Sequence, residues 1–287
     1  MLEREPRIYV LPNLMTAGNL LCGFMAILHI VGRFQPQEEN HRYLWAIGFI
    51  LAACAFDALD GRLARMSGQS SDFGREFDSI ADIVSFGIAP ALLVHDIVLA
   101  EFEQSVKGLG WLIACMYLVC GAMRLARFNC IAAREAANGT SSKFFSGCPI
   151  PAAAGVIVSL TLTLLWLEGN ERAIGSWKYA LPVLMVLLSY LMVSKVEYPS
   201  FKSINWKTRR SFHWVLISII VLAFTVKAWQ WMPSVLFVSY LAYGLVRPWV
   251  SRKWQMEIEE GVEPPLEEQG SEAKDDDNSK QDPATLI

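Results

Sequence analysis

Eight stretches of the chain are each long and apolar enough to cross a lipid bilayer: about 12–34, 44–65, 75–100, 109–128, 150–168, 177–195, 212–229 and 231–250. A spanning helix needs roughly 20 mostly apolar residues, because every backbone N–H and C=O inside hydrocarbon has to be satisfied within its own segment. The expected fold is therefore all-α, a polytopic membrane protein of about eight transmembrane helices. Composition agrees, since 53% hydrophobic residues, 10 Trp and a mean hydropathy of +0.32 lie outside the range of an ordinary soluble domain.

The formal net charge of −3 conceals two regions. Residues 255–287 hold 11 Asp and Glu against two Lys, whereas residues 1–254 carry 23 basic and 17 acidic side chains. The acidic stretch has too few large apolar residues to offset its ordering entropy, and it reads as a disordered tail. The expected division is a transmembrane domain over 8–250 and a cytoplasmic tail over 255–287. Lys and Arg are unevenly spread along the membrane part. Eight spans put 17 of them on the side holding both termini and the join between spans two and three, and six on the other side. The positive-inside bias makes the first side cytoplasmic, in an inner (cytoplasmic) membrane. Lys195 to Arg210 reads as a basic loop meeting anionic head groups. The opening residues Met1 to Arg7 lack the layout of a cleaved signal, so the first apolar run is expected to be retained. Six Cys without a C-x-x-C pair, mostly in apolar surroundings, read as small buried hydrophobes. The four His are scattered and none reads as a ligand. No nucleic-acid partner is indicated.

Against this apolar background four carboxylates stand out: Asp57 and Asp60 near the end of the second span, Asp78 and Asp82 near the start of the third. Ionised groups within a membrane-spanning helix cost a few kcal/mol each, so they mark a functional site by default. Spacings of three and four residues put each pair on one helix face, with Cβ atoms about 5–6 Å apart. The short join makes the two helices antiparallel neighbours, and their acidic faces can converge. Four converging carboxylates in a poorly solvated place need cations, and an all-oxygen donor set selects hard ions. Mg²⁺, Mn²⁺ and Ca²⁺ are such ions, and two divalent ions would balance the charge and leave coordination positions for a phosphate ligand. Gly61 and Gly74 would let backbone or ligand approach closely, and Arg65 can offer a charge-assisted fork to a diphosphate. A cation-coupled transporter is the alternative outside enzymology. Transporters, however, place coupling acids near the midplane of repeated halves, and here the acids hug one membrane face with no repeat visible.

The full pattern is Asp57-x2-Asp60-Gly61-x2-Ala64-Arg65-x8-Gly74-x3-Asp78-x3-Asp82. It resembles, without departure, the signature of the CDP-alcohol phosphotransferase family. The resemblance implies the fold of that family and an integral membrane enzyme that attacks a CDP-linked lipid or alcohol with a second alcohol, releasing CMP. Asp57, Asp60 and Asp78 would hold two metal ions, and Asp82 would touch the second ion and act as general base. Gly61, Arg65, Gly74 and Ser71 would lie at the CDP diphosphate. The segment Pro12-Asn13-Leu-Met-Thr16-Ala-Gly-Asn19 is similar to the family's first helix, where Asn13 and Thr16 would approach the nucleotide. Ser85-Phe-Gly-Ile-Ala-Pro90, Gly121 to Asn129, Phe145 to Gly155 and Leu191 to Lys195 resemble the bacterial branch of the family that uses serine. The implied substrates are CDP-diacylglycerol and L-serine, met in membrane lipid, with a homodimer as the assembly. Arg124 and Arg127, three residues apart, could clamp an acceptor's carboxylate, with Asn129 as a further polar partner. The same pair would suit glycerol 3-phosphate, and either Arg could simply anchor a helix end.

Overall fold

The structure, a computed structural model, describes residues 10–33, 39–67, 72–100, 107–138, 145–169, 179–194, 197–198, 224–225 and 227–260. It is built of helices: α1 (Val10–Ile30), α2 (Glu39–Ser67), α3 (Asp72–Asp82), α4 (Ala89–Val94), α5 (Leu109–Asn138), α6 (Ile150–Gly169), α7 (Ala180–Val193) and α8 (Met232–Glu260). Five of the expected spans appear as helices long and apolar enough to cross a membrane, Asn13–Ile30, His41–Leu63, Phe73–Leu99, Leu109–Arg134 and Ile150–Glu168. The sixth and eighth appear as the shorter apolar helices Ala180–Val193 and Met232–Val246. Most of the seventh, 212–229, lies outside the described residues, as does nearly all of the basic loop from Lys195 to Arg210.

The chain divides into two compact units, Met1–Pro248 and Trp249–Ile287. Of the second, only the end of α8 is described. That helix runs to Glu260, a few residues into the acidic stretch, and residues 261–287 lie outside the described residues.

Two helices with matching seams form the first layer. On α1 the buried positions are Thr16, Asn19, Gly23, Ala26 and Ile30, a 3-4 spacing that winds one stripe along one face. On α2 the partner stripe is Tyr43, Ala46, Ile47, Ile50, Ala53 and Asp60. Both stripes change character along their length. At one end they are Ala26, Ile30 and Ile47; at the other they are Thr16, Asn19 and Asp60, so the buried carboxylate and amide of the two stripes gather at one end of the hairpin. The opposite end is fastened by Asp96, which accepts from Arg42 Nη2 at 3.0 Å and from the Tyr43 hydroxyl at 2.9 Å.

After α3 the helix continues without a break through a π-helical segment, Ile83–Ile88, into α4 and a second π segment, His95–Leu99. The cause is legible in Pro90. Proline has no N–H to donate to the carbonyl four residues back, so the Phe86 carbonyl loses its α-helical partner. The Tyr117 hydroxyl of α5 donates to it instead at 3.0 Å, deep in the core. The wider π turn begins directly after Asp82 and re-aims the helix downstream of it; such turns recur at functional sites.

Gly23 permits the close passage of α1 over this segment. A Cβ there would collide with Ser85 Oγ and stand 2.8 Å from Ser85 Cα. Gly23→Ala should therefore lower the thermal midpoint of the purified protein in detergent, an overpacking cost of about 1–3 kcal/mol. Activity should fall with it because the same contact aligns Asn19 with Asp82; an unshifted midpoint would refute the tight contact. Gly147 meets a different need. Its φ is +91°, and its Cα faces the Met192 carbonyl too closely for any side chain. The turn lets Cys148 N donate to the Leu191 carbonyl at 3.1 Å and joins the start of α6 to the end of α7. Beside it, two two-residue strands, β1 (Phe145–Ser146) and β2 (Glu197–Tyr198), pair antiparallel, Phe145 opposite Tyr198.

The outward faces are apolar: Leu14, Leu21 and Phe24 on α1, and Trp111, Leu112 and Val119 on α5, are each more than half exposed. Continuous apolar exposure on several helices suits a lipid environment. It also corrects the cysteine expectation. Cys148 is buried, Cys22, Cys54 and Cys120 are intermediate, but Cys115 and Cys130 are exposed on α5, and all six are free thiols. A Cys facing hydrocarbon sheds water as completely as one in a core, so an apolar neighbourhood in sequence does not by itself mean protein burial.

Candidate active site

Antiparallel packing brings the end of α2 against the start of α3. Asp57, Asp60 and Asp78 each present a carboxylate oxygen, and these oxygens all lie within 4.8 Å of one another. Asp60 is buried, Asp57 and Asp78 are half-buried, and Asp78 Oδ1 is buried without a hydrogen-bond partner. Like charges so placed repel strongly in a medium of low dielectric. Three converging carboxylates, one of them with a buried oxygen that lacks a partner, are the donor set of a hard cation, so the residues present fit a divalent metal.

The first helix supports this cluster from the side. Thr16 Oγ1 donates to Asp60 Oδ2 at 3.1 Å, and Asn19 Nδ2 donates to Asp82 Oδ1 at 3.1 Å. Asn19 is itself fixed, because Ser85 Oγ donates to its backbone carbonyl at 3.0 Å. Two residues three apart on α1 thus orient one carboxylate on α2 and one on α3. Asp82 is buried one turn beyond Asp78 and stands outside the three-carboxylate group. Asn13, one turn before Thr16, has its Nδ2 buried without a partner, a donor directed at no protein acceptor.

Gly61 follows Asp60 directly, and Gly74 lies in the first turn of α3. Ser71 and the side chain of Arg65 lie outside the described residues. The candidate clamp on α5 is not gathered to one point. Asn129 Nδ2 donates to Ser79 Oγ at 2.9 Å and reaches the Glu76 carboxylate at 3.3 Å. Arg127 is exposed and donates to the Val193 carbonyl at 3.4 Å. Arg124 turns inward, and its Nε is buried without an acceptor. Asn19 and Ser85 escaped sequence reasoning as functional partners; a polar residue in register with Thr16 on an apolar helix was the available signal.

The model of the CDP-alcohol phosphatidyltransferase family matches residues 9–193, which contain every one of these carboxylates and their α1 partners. The chain belongs to this family. Three curated relatives bear one name, CDP-diacylglycerol–serine O-phosphatidyltransferase. The protein from Helicobacter pylori is 34% identical over 84% of this chain and 91% of its own length. The protein from Bacillus subtilis is 32% identical over 71% of this chain and 98% of its own. The protein from Methanocaldococcus jannaschii is 33% identical over 68% of this chain and 76% of its own.

Proposed function

We propose that the protein transfers a phosphatidyl group from CDP-diacylglycerol to the hydroxyl of L-serine, forming phosphatidylserine and CMP. The observation that carries the reading is the convergence of Asp57, Asp60 and Asp78 within 4.8 Å, with Asp82 one turn beyond, in a chain of this family. The shared name of the relatives supports serine as the acceptor.

Asp57, Asp60 and Asp78 would hold two divalent ions, Mg²⁺ or Mn²⁺, with Asp82 bordering the second. Bound there, such ions neutralise the diphosphate and polarise the phosphoryl oxygens. The chain's own groups account for the remaining steps. Thr16 keeps the Asp60 carboxylate aimed into the cluster. Asn13, Gly61, Arg65, Ser71 and Gly74 would receive the CDP moiety, Gly61 and Gly74 by leaving room and the others by donating hydrogen bonds. Asp82, steadied at Oδ1 by Asn19, would take the serine hydroxyl proton. The serine oxygen then bonds to the phosphorus that carries the diacylglycerol, the bond from that phosphorus to the CMP oxygen breaks, and CMP leaves with the electron pair. The acyl chains would stay in lipid beside the exposed faces of the helices. Arg124, whose Nε is unused by the protein, is the acceptor's contact on α5, with Arg127 and Asn129 holding that end of the helix.

The test is purified protein with CDP-diacylglycerol, Mg²⁺ or Mn²⁺, and separate labelled alcohols, following CMP release. Serine should be the productive acceptor; turnover with glycerol 3-phosphate and none with serine would reassign the substrate.

The membrane is proposed to be the inner (cytoplasmic) membrane, with termini and active site on the cytoplasmic side, and the assembly a homodimer, to be checked by mass measurement in detergent. In a background with the six native cysteines replaced, single cysteines placed at 66–73 or in 255–287 should react with an impermeant label only from the cytoplasmic side. Labelling of either region from outside would overturn the orientation.

A further inference from the structure

The family match ends at residue 193, yet the last helix returns to the site. A ladder of polar and close contacts sets α8 antiparallel to α6. Thr163 Oγ1 donates to the Gln230 carbonyl at 3.0 Å and lies 2.7 Å from Ser234 Oγ, which donates to the Ser159 carbonyl at 2.7 Å. Further along, Phe237 rests on Gly155 so closely that a Cβ there would collide with its ring. Inside hydrocarbon, where apolar surface gains nothing by pairing with a second apolar helix, hydrogen bonds and small-residue contacts of this kind fix one helix on another. The pairs 163 with 230, 159 with 234 and 155 with 237 advance in step. Continued by one turn, they bring Tyr240 and the buried Leu241 to the first turn of α6, at about Pro151 and Ala152.

The start of α6 is also where α5 passes. The Ile150 side chain reaches to 2.6 Å of the Cβ position of Gly121, one turn before Arg124. On its other flank α5 is tied to α3 and its π extension at two levels, Asn129 to Ser79 and Tyr117 to Phe86. Between these ties the spacing along the two helices puts Arg124 at about the level of Asp82. Arg124 lies within electrostatic reach of Asp82, Cys148 and Tyr240, and Tyr240 within reach of Cys148 and Arg124. Three helices thus converge beside the proposed base: Asp82 from α3, Arg124 from α5 and half-buried Tyr240 from α8.

A half-buried guanidinium whose Nε is buried and has no acceptor can receive a further anion. The nearby acid, Asp82, is already engaged by Asn19. We infer that Arg124 and Tyr240 together read the carboxylate of the acceptor amino acid, so that α8, which lies beyond the family match, sets acceptor specificity. This rests on the serine reading above. Guanidinium and phenol are both donors, and a carboxylate offers two acceptor oxygens to receive them. With the carboxylate so held, the hydroxyl of the same small molecule is left toward Asp82.

The test compares L-serine with serinol (2-amino-1,3-propanediol), which keeps the amine and a hydroxyl but replaces the carboxylate by a second alcohol. Intact protein in detergent with CDP-diacylglycerol and Mn²⁺ should prefer serine. Tyr240→Phe, which preserves the packing, should raise the serine KM by about tenfold, the worth of one hydrogen bond to a charged group. Its KM for CDP-diacylglycerol should move by less than about twofold, and its preference over serinol should shrink by the serine factor. Arg124→Gln should shrink that preference further, and the double variant should fall short of the product of the two, as partners on one ligand do. An unchanged serine-to-serinol ratio in Tyr240→Phe, or equal losses for both acceptors, overturns the inference. No CMP from intact protein with serine, alongside CMP with another alcohol, refutes the serine reading first and this inference with it.

Discussion

Asp78→Asn should reduce phosphatidyl transfer at least about a hundredfold, and Asp57→Asn and Asp60→Asn should each do likewise. Each exchange removes one charge from three oxygens that lie within 4.8 Å of one another, and a neutral amide offers a single weak acceptor in its place. EDTA should abolish the activity of the unaltered protein, and Mg²⁺ or Mn²⁺ should restore it. A second readout separates ligand loss from misfolding. Without metal, three crowded carboxylates repel, so Asp78→Asn should melt no lower than the unaltered protein and should gain from relief of that repulsion. With metal the order should reverse. A cation that binds only the folded state at about 100 times its Kd adds about 2.7 kcal/mol, which the unaltered protein gains and the variant lacks. Full turnover in excess chelator, or metal-induced stabilisation of the variant equal to that of the unaltered protein, would sink the metal assignment.

The carboxylates were legible in the sequence because their cost in a bilayer is large, so few explanations survive for four of them at helical spacing. Five of the spans were legible for the same reason, since hydropathy over 20 residues is a strong signal. What escaped was how the other helices cross this acidic pair. Thr16 and Asn19 were visible as polar residues, but their partners, Asp60 and Asp82, emerge only once α1 is laid between α2 and α3. Pro90 announced a disturbed helix, though not that it would take the form of a π turn relieved by Tyr117 from another helix. Arg124 and Arg127 look equivalent by spacing. They part in the structure, where the Nε of one is buried without an acceptor and the other is exposed and donates to the end of α7. Ser159, Thr163 and Ser234, four apart or in register across two helices, were a readable sign of helix pairing that fixes the position of Tyr240.

Asp82→Asn should separate chemistry from binding. Asparagine keeps the size of the side chain and an oxygen that can still accept from Asn19 Nδ2, so the contact between α1 and α3 should survive. Affinity for metal and for CDP-diacylglycerol should therefore stay within roughly tenfold, measured by calorimetry with CDP. Turnover should fall by about 10²–10⁴, the usual worth of a general base, because an amide cannot take the hydroxyl proton. Asn19→Ala tests the positioning of that base. It leaves Asp82 charged but frees Oδ1, so it should cost less than Asp82→Asn and act on kcat more than on the KM of either substrate. The ordering is what distinguishes a proton acceptor held in place from a fourth metal ligand. If Asp82 chiefly binds metal, Asp82→Asn should weaken the cation as severely as Asp78→Asn does, and added Mn²⁺ should recover much of the rate. A deficit that saturating metal leaves untouched belongs to the proton, and near-normal turnover in Asp82→Asn removes the assignment altogether.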